Sequence, residues 1–331
     1  MQGVKKIYFS GFNQTNKKKE IPELIKRSGI KIIFPFYHVV SDEYLPHIKH
    51  LYPYKNIAQF KDDLDLFLKY YEPLGVDDYV AGNFNKNKNY FILSFDDGLK
   101  EMYEIVEPIL KQKGIPAIFF INSMFVDNKD LFYRYSISLI IEALKTDAIF
   151  QRVKKYLSNK SVSLSAIKIY LLTRGYNDRE FIKKLMQIAA IDSEGFLRSQ
   201  QPYMTIQQLK ELTAQGFTIG AHSADHPDYT VISETSQIDQ TAQSVNFIRG
   251  RFPGKYSYFA FPFSADGVSE KVFNTLYSDA GIDLSFGTSG IKNNPGSKHI
   301  NRIPMEEIGY SAEEIIKNEY AYFLLKRMLG R

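Results

Sequence analysis

Short runs of consecutive apolar residues alternate along this chain with longer stretches in which apolar residues recur every three or four positions. Ile30-Lys-Ile-Ile-Phe-Pro-Phe-Tyr-His38-Val-Val reads as a buried strand ending near a histidine. Residues 56–71 follow as an amphipathic helix, with Phe60, Leu64, Leu66, Phe67 and Tyr70 apolar. A strand-length apolar run, 91–95, leads to Gly98 and to a helix whose Met102, Ile105, Ile109 and Leu110 keep helical spacing up to Gly114. Another buried strand, 116–121, comes next, so strand, helix and strand form a βαβ unit. From about 131 to 199 there is no obvious strand, only helix-like runs at 138–144, 149–157 and 181–190. This stretch reads as a helical insertion, because the alternation resumes after it.

The resumed pattern is a helix at 205–215, where Thr205 precedes Gln208 by three residues as in a capping box, and then a strand at 217–220. Helices at 233–248 and 269–278 alternate with strands at 256–261, 282–286 and 300–303. Successive βα units predict an α/β fold, a barrel or a doubly wound sheet, with loops gathered at the strand C-termini. The expected organisation is an N-terminal extension (1–29), one domain over 30–310 carrying the insertion, and a C-terminal helix (311–331). That helix has Ile315, Ile316, Tyr320, Phe323, Leu324 and Leu329 apolar, with Lys326, Arg327 and Arg331 near its end. Docking on the barrel is the favoured reading, and peripheral contact with an anionic membrane surface is the alternative.

Composition narrows the function classes. A hydrophobic content of 44% with 24% charged residues is that of a soluble globular protein. No run of eighteen apolar residues occurs, so no transmembrane helix is expected. Met1-Gln-Gly-Val-Lys-Lys-Ile-Tyr-Phe lacks the apolar run of a signal peptide, and the expected location is cytoplasmic. With no cysteine there is no disulfide and no cysteine zinc site. A net charge of +5 without a dense basic block or a nucleic-acid motif argues against DNA or RNA as a partner. The 23 Tyr and 25 Phe are compatible with stacking on sugar rings, although most such rings fill cores.

Three strand ends carry candidate chemistry. The first, Tyr90-Phe-Ile-Leu-Ser-Phe-Asp96-Asp97-Gly98, ends an apolar strand in two carboxylates. Asp-Gly is also a favoured turn, but adjacent side chains point in different directions, so one carboxylate can bind a metal while the other faces substrate. The second, Gly220-Ala-His222-Ser-Ala-Asp-His226, supplies two imidazoles four residues apart. Aspartate plus two histidines is a common metal-ligand set, and it leaves a second aspartate for proton transfer. Asp225 is placed to orient an imidazole or to cap the next turn. The third, Tyr258-Phe-Ala-Phe-Pro262-Phe263, is a buried aromatic strand stopped by proline, or one whose Phe263 N–H is aimed at a developing oxyanion.

Taken in order, these motifs resemble the polysaccharide deacetylase family, the NodB-homology domain, over about residues 30–310. Ser94-Phe-Asp96-Asp97-Gly98 is similar to its first motif and His222-Ser-Ala-Asp-His226 to its second. Phe259-Ala-Phe-Pro262-Phe263 is similar to the third motif of the exopolysaccharide and poly-N-acetylglucosamine deacetylases, as is Phe36-Tyr37-His38 to their first strand. The resemblance implies a distorted (β/α) barrel and a divalent metal, most often zinc, with cobalt, manganese and iron as alternatives. Asp97, His222 and His226 match the metal ligands and Asp96 the base. The implied reaction is attack of a metal-activated water on the acetamide of an N-acetylated carbohydrate, with the oxyanion stabilised by the metal and the Phe263 N–H.

Several positions depart from that pattern. Ala260 stands where the family commonly keeps an arginine that holds the base, and a Trp-free chain lacks the fourth-motif tryptophan. The fifth-motif histidine, the general acid, has no clean match. His299, followed by Asn301-Arg302-Ile303-Pro304, is the slightly favoured substitute. His38 is the other candidate, or it orients Asp96. The alternatives to a deacetylase are a catalytically silent barrel that binds metal and glycan, and a hydrolase of another non-peptide C–N amide bond.

Overall fold

The computed structural model describes residues 19–329 except 158–162, 253, 293–295 and 308. The predicted N-terminal sequence from Met1 and the terminal Arg331 lie outside the described residues. Eleven strands follow in chain order: β1 (Ile32–Ile33), β2 (Pro35–Tyr37), β3 (Glu72–Pro73), β4 (Tyr90–Phe91), β5 (Leu93–Phe95), β6 (Ala117–Ile121), β7 (Thr218–Ala221), β8 (Tyr258–Ala260), β9 (Leu284–Gly287), β10 (His299–Asn301) and β11 (Ile303–Pro304). Three of the predicted strands are each split in two, the last of them at Arg302 into β10 and β11. Pro35 has no N–H to give a ladder, and the first run divides there. The 90–95 run divides at Ile92. The leading pieces of these two runs, β1 and β4, join β3 in a small parallel sheet, order β1-β4-β3, beside the main one.

The main sheet is parallel throughout, in the order β10-β9-β8-β7-β6-β5-β2-β11. Its two outermost members are consecutive pieces of one segment, so the sheet curls into a nearly closed barrel. Arg302 is the residue at the closure. Its N–H donates to the Gly287 carbonyl at 3.0 Å, and the next N–H, that of Ile303, donates to Phe34 at 2.8 Å.

Period-two alternation decides what lies inside. Tyr90, Ile92, Ile118, Phe120, Tyr258, Ala260, Leu284, Phe286 and Ile300 form their own apolar cluster within the ring. The opposite faces of the same strands pack against the helices in a second, larger cluster. One further step of two along the strands replaces this apolar filling with polar groups. Ile92 is followed by Ser94 and Asp96, Phe120 by Asn122, Gly220 by His222, and Ile300 by Arg302. All five are buried, so the barrel has a dry floor and a polar upper layer at the strand C-termini.

The helices follow the sequence signals where a cap is present. Asn56, Thr205, Ser233, Ser269 and Ser311 each cap the helix that starts at the next residue, and the capping box of Thr205 with Gln208 forms as predicted. The helix after Gly98 opens as a π-turn, Met102–Val106, before Glu107–Lys113. Within the insertion the described residues hold five α-helices: Tyr133–Ala143, Asp147–Tyr156, Leu164–Leu172, Arg179–Ile188 and Ser193–Gln200. Leu164–Leu172 was not anticipated, because a segment apolar on nearly every side has no face to read.

The ends of the chain pack together. Helix Ile21–Ser28, inside the expected extension, lies against the C-terminal helix Ala312–Met328. Tyr320 donates to the Ile30 carbonyl at 3.0 Å, and Arg327 to the Ser28 carbonyl at 3.2 Å. Ile315, Ile316 and Tyr320 are buried, so the C-terminal helix docks on the body, and among its described apolar residues and the Leu329 that follows, Met328 and Leu329 are the exposed ones. Among the described residues no helix is long and apolar enough to cross a membrane.

Candidate metal centre and active site

Asp97, His222 and His226 come together as one buried group whose ligand atoms all lie within 4.8 Å of one another. Both imidazoles present Nε2 to the same carboxylate oxygen, Asp97 Oδ1, at 3.4 Å from His222 and 3.3 Å from His226. That oxygen is buried and has no hydrogen-bond partner among the described residues. His222 Nδ1 lies 2.8 Å from the Ala260 carbonyl, which fixes the ring with Nε2 inward. A buried, unpaired carboxylate oxygen facing two imidazole nitrogens is costly as it stands. One carboxylate and two imidazoles form a donor set suited to a divalent cation.

The backbone shows how the sequence aims these groups. Asp96 and His222 continue their strands on the inward face. Asp97, Ser223, His226 and Phe263 instead adopt left-handed conformations, with φ of 74°, 65°, 60° and 55°. Half of the described non-glycine residues in that region therefore sit in the three strand-end motifs, where such strain commonly marks function. Gly98 is required next to them. Its φ is 66°, and a Cβ there would meet Ile121 Cγ2 at 3.0 Å.

Asp96 is held by Arg302 in a two-point pair, Nη1 to Oδ1 and Nη2 to Oδ2, each 2.7 Å. The guanidinium is fully buried, reaches Ser94 Oγ at 3.1 Å and lies over the Phe36 ring at 4.3 Å. Burial pushes the Asp96 carboxyl up, but Arg302 and then His222 outweigh it and hold it below the usual carboxylate range. Asp97 is held well below that range, where His226 and His222 outweigh burial. Asp96 Oδ2 lies 4.0 Å from His222 Nε2, so an ionised carboxylate adjoins the candidate ligands.

His38 stands at the end of β2 on the same rim. Its Nδ1 lies 2.6 Å from Glu306 Oε2, and Glu306 Oε1 accepts the backbone N–H groups of His38 and Val39 at 2.9 and 3.0 Å. Burial would lower the imidazole pKa, but Glu306 outweighs it and raises it to about 9, with smaller contributions from Asp97 and Asp96. His299 is elsewhere. Its Nδ1 is 2.8 Å from Ser285 Oγ, its ring packs on Phe261 and Phe273, and burial followed by Lys292 and Arg302 lowers its pKa to about 4. It lines a cavity of about 480 Å³ beside the small sheet, with Lys31, Ile33, Tyr79 and Phe84. The structure thus brings together Asp96, Asp97, His222 and His226 but does not bring His299 to them. The physical reason is register: His299 and Asn301 flank inward-facing Ile300, so the histidine leaves the ring on the outer face.

Phe263 stacks its ring edge-on against His226 at 4.7 Å and is partly exposed. Its carbonyl accepts from Thr288 Oγ1, and its N–H has no acceptor among the described residues. Asp225 does not bond either imidazole. It accepts from Tyr176 and Arg179, both contributed by the insertion.

Sequence reasoning quoted Arg302 without giving it a task and missed Glu306. The signal for Arg302 was present: an arginine in step with Ile300 on an apolar strand must enter the barrel, where it needs a buried anion. Orientation of Asp96 therefore comes from Arg302, and His38 is free of that task. Glu306 lies beyond the last strand, where neither period nor spacing points inward.

The fold is shared with solved deacetylases. A deacetylase from Streptococcus pyogenes, PplD, aligns with a TM-score of 0.57 at 15% identity, covering 88% of this chain and 98% of its own. IcaB from Ammonifex degensii aligns with a TM-score of 0.56 at 16% identity, covering 88% and 98%. A de-N-acetylase from Aggregatibacter actinomycetemcomitans gives 0.51 at 16%, covering 86% and 99%. No curated protein matches the sequence. Those likenesses define a parallel βα barrel of the deacetylase type. The family model for polysaccharide deacetylase matches residues 84–162 and 174–284, more than half of the chain, and the protein belongs to that family. It is accordingly a hydrolase of non-peptide carbon–nitrogen bonds.

Proposed function

We propose that this protein removes N-acetyl groups from an N-acetylated sugar in a glycan or glycan precursor, using a divalent cation held by Asp97, His222 and His226. The observation that carries the proposal is the buried Asp97 Oδ1, unpaired and faced by both imidazole Nε2 atoms, directly beside an ionised Asp96. Zinc suits this donor set, and cobalt, manganese or iron accept the same ligands. When bound, the cation supplies Lewis acidity to the acetamide carbonyl and to a water molecule.

The chain's own residues carry the rest. Asp96, kept ionised and oriented by Arg302, takes a proton from the attacking water as its oxygen bonds to the carbonyl carbon. The Phe263 N–H donates to the oxyanion that develops. As the C–N bond breaks, the leaving nitrogen needs a proton, and we assign it to His38 in place of His299. His38 is protonated and braced by Glu306 on the rim that holds Asp96, and it regains its proton from solvent. Acetate and a free amine leave. The Phe263 ring against His226 provides an apolar wall for the sugar.

A silent barrel would lack a group able to protonate the amine, and the His38–Glu306 pair favours the active reading. The test is acetate release from an N-acetylglucosamine oligomer by metal-stripped protein with and without added zinc. We expect release that depends on zinc. No release with any divalent metal would favour the silent barrel, and release from other amides alone would move the substrate class.

A further inference from the structure

Asp97 differs from its neighbours Asp96 and His222 in what holds it. Asp96 and His222 continue regular strands, whereas Asp97 has turned out of the ladder at a φ of 74°. A side chain on such a turn needs another restraint. The helical insertion supplies one. Tyr135, on helix Tyr133–Ala143, is fully buried, and its hydroxyl donates to Asp97 Oδ2 at 3.0 Å. With Oδ2 engaged, Oδ1 alone faces the two imidazoles. The helix's first flanking residue, Phe132, lays its ring 4.5 Å from that of His226. One turn of the insertion therefore touches two of the three candidate ligands. Tyr135 is locked in turn by Phe132 and His47 edge-on at 5.0 and 5.2 Å, and its hydroxyl lies 3.3 Å from that of Tyr52.

We propose that Tyr135 is a positioning residue for the metal centre: its hydroxyl sets the Asp97 carboxylate so that one oxygen is presented to the cation, and the insertion and the cation stabilise each other through it. The proposal rests on the reading that Asp97 is a ligand. A carboxylate free to rotate would lose orientation each time a cation left and would offer either oxygen, or both, to the next. Hydrogen bonds of this kind to metal ligands typically change metal affinity 10- to 100-fold. Linkage makes the effect reciprocal, since a cation that holds Asp97 also holds the tyrosine bonded to it.

Tyr135→Phe keeps the ring and removes only the hydroxyl. Zinc affinity, measured by competition with a chromophoric chelator, should weaken by about 10- to 100-fold, and the visible spectrum of the cobalt-loaded variant should shift. Tyr52→Phe, which removes the hydroxyl's other neighbour, should leave zinc affinity within about twofold. In the unaltered protein, zinc should slow hydrogen exchange across Tyr133–Ala143, a readout that does not depend on the variant folding. The proposal is overturned if Tyr135→Phe binds zinc as wild type does with an unchanged cobalt spectrum. It is also overturned if both tyrosine variants weaken binding equally, or if exchange in that helix ignores zinc. A wild-type protein that binds neither zinc nor cobalt would instead sink the underlying assignment of Asp97, and this proposal with it.

Discussion

The lower and upper layers of the barrel interior are built by the same strands with the same alternation, yet they obey opposite rules. Below, Ile92, Ile118, Phe120, Tyr258, Leu284 and Phe286 fill the ring with apolar surface. Two residues further on, Ser94, Asp96, His222 and Arg302 are equally buried and are polar or charged. In the lower layer each side chain contributes by volume, and a swap of similar size is tolerated. In the upper layer each contributes by pairing, and losing one partner strands the other in a dry site. The barrel thus concentrates its electrostatic cost in one layer, which is where the candidate site lies.

The sharpest way to separate the layers is to remove a candidate ligand. His222→Ala should strip the metal and reduce acetate release to background, as read by metal analysis and turnover on the same sample. Full metal content in both His222→Ala and His226→Ala would contradict the assignment.

Next in size is the base. Asp96→Asn should keep the metal and lower turnover by about 10² to 10⁴. Because Arg302 then loses its anion, the variant should also unfold at lower temperature. Arg302→Met exposes the same pairing from the other side. It should cost about 3–5 kcal/mol in denaturant unfolding, the scale of an uncompensated buried charge. It also releases Asp96 upward from its depressed pKa, so activity should be lost earlier as pH falls.

Smaller effects come from the two histidines that the last strand sorts. His38 acts as an acid only while protonated, so activity that depends on it is present below its pKa and lost as pH rises through it. The pair with Glu306 puts that pKa at about 9, and a bound cation moves it lower. His38→Gln should reduce turnover by about 10- to 10³-fold and remove the alkaline limb of the pH–rate profile. His299→Ala should leave that limb unchanged. The opposite result would return the acid to His299.

Smallest is a buried carboxyl that the upper layer does not pair. Glu101 is buried with Oε2 unpartnered, and burial raises its pKa to about 7, only partly offset by its own backbone and Lys100. A raised folded-state value means that stability is full below the unfolded pKa and declines as pH rises towards 7. Glu101→Gln should abolish that decline and be more stable than wild type above pH 7, by at most about 3 kcal/mol. Unfolding midpoints at pH 5 and pH 8 check it.

How much of this was legible in the sequence follows the same division. Strands, capped helices and the clustering of Asp97 with His222 and His226 were readable because they rest on local signals: apolar runs, Thr205 with Gln208, and an i, i+4 histidine pair after a strand. The βα barrel followed from alternation together with the family resemblance. What could not be read depends on distant chain. Arg302 reaches Asp96 across 206 residues, and Glu306 reaches His38 across 268. Tyr135 bonds Asp97 from an insertion whose sequence has no strand pattern to fix its direction. The place of His299 was not legible either, because nearness in sequence to the family's last motif says nothing of strand parity, which sends that side chain outward.

In the proposed mechanism one cation at Asp97, His222 and His226 enables acetamide hydrolysis. The most direct test is to strip the protein of metal and titrate zinc back while following acetate released from an N-acetylglucosamine oligomer. We expect activity to rise in proportion to zinc and to level off at one equivalent per chain, with no rise in His222→Ala. Acetate release that is indifferent to zinc, or a His222→Ala titration that matches wild type, would contradict it.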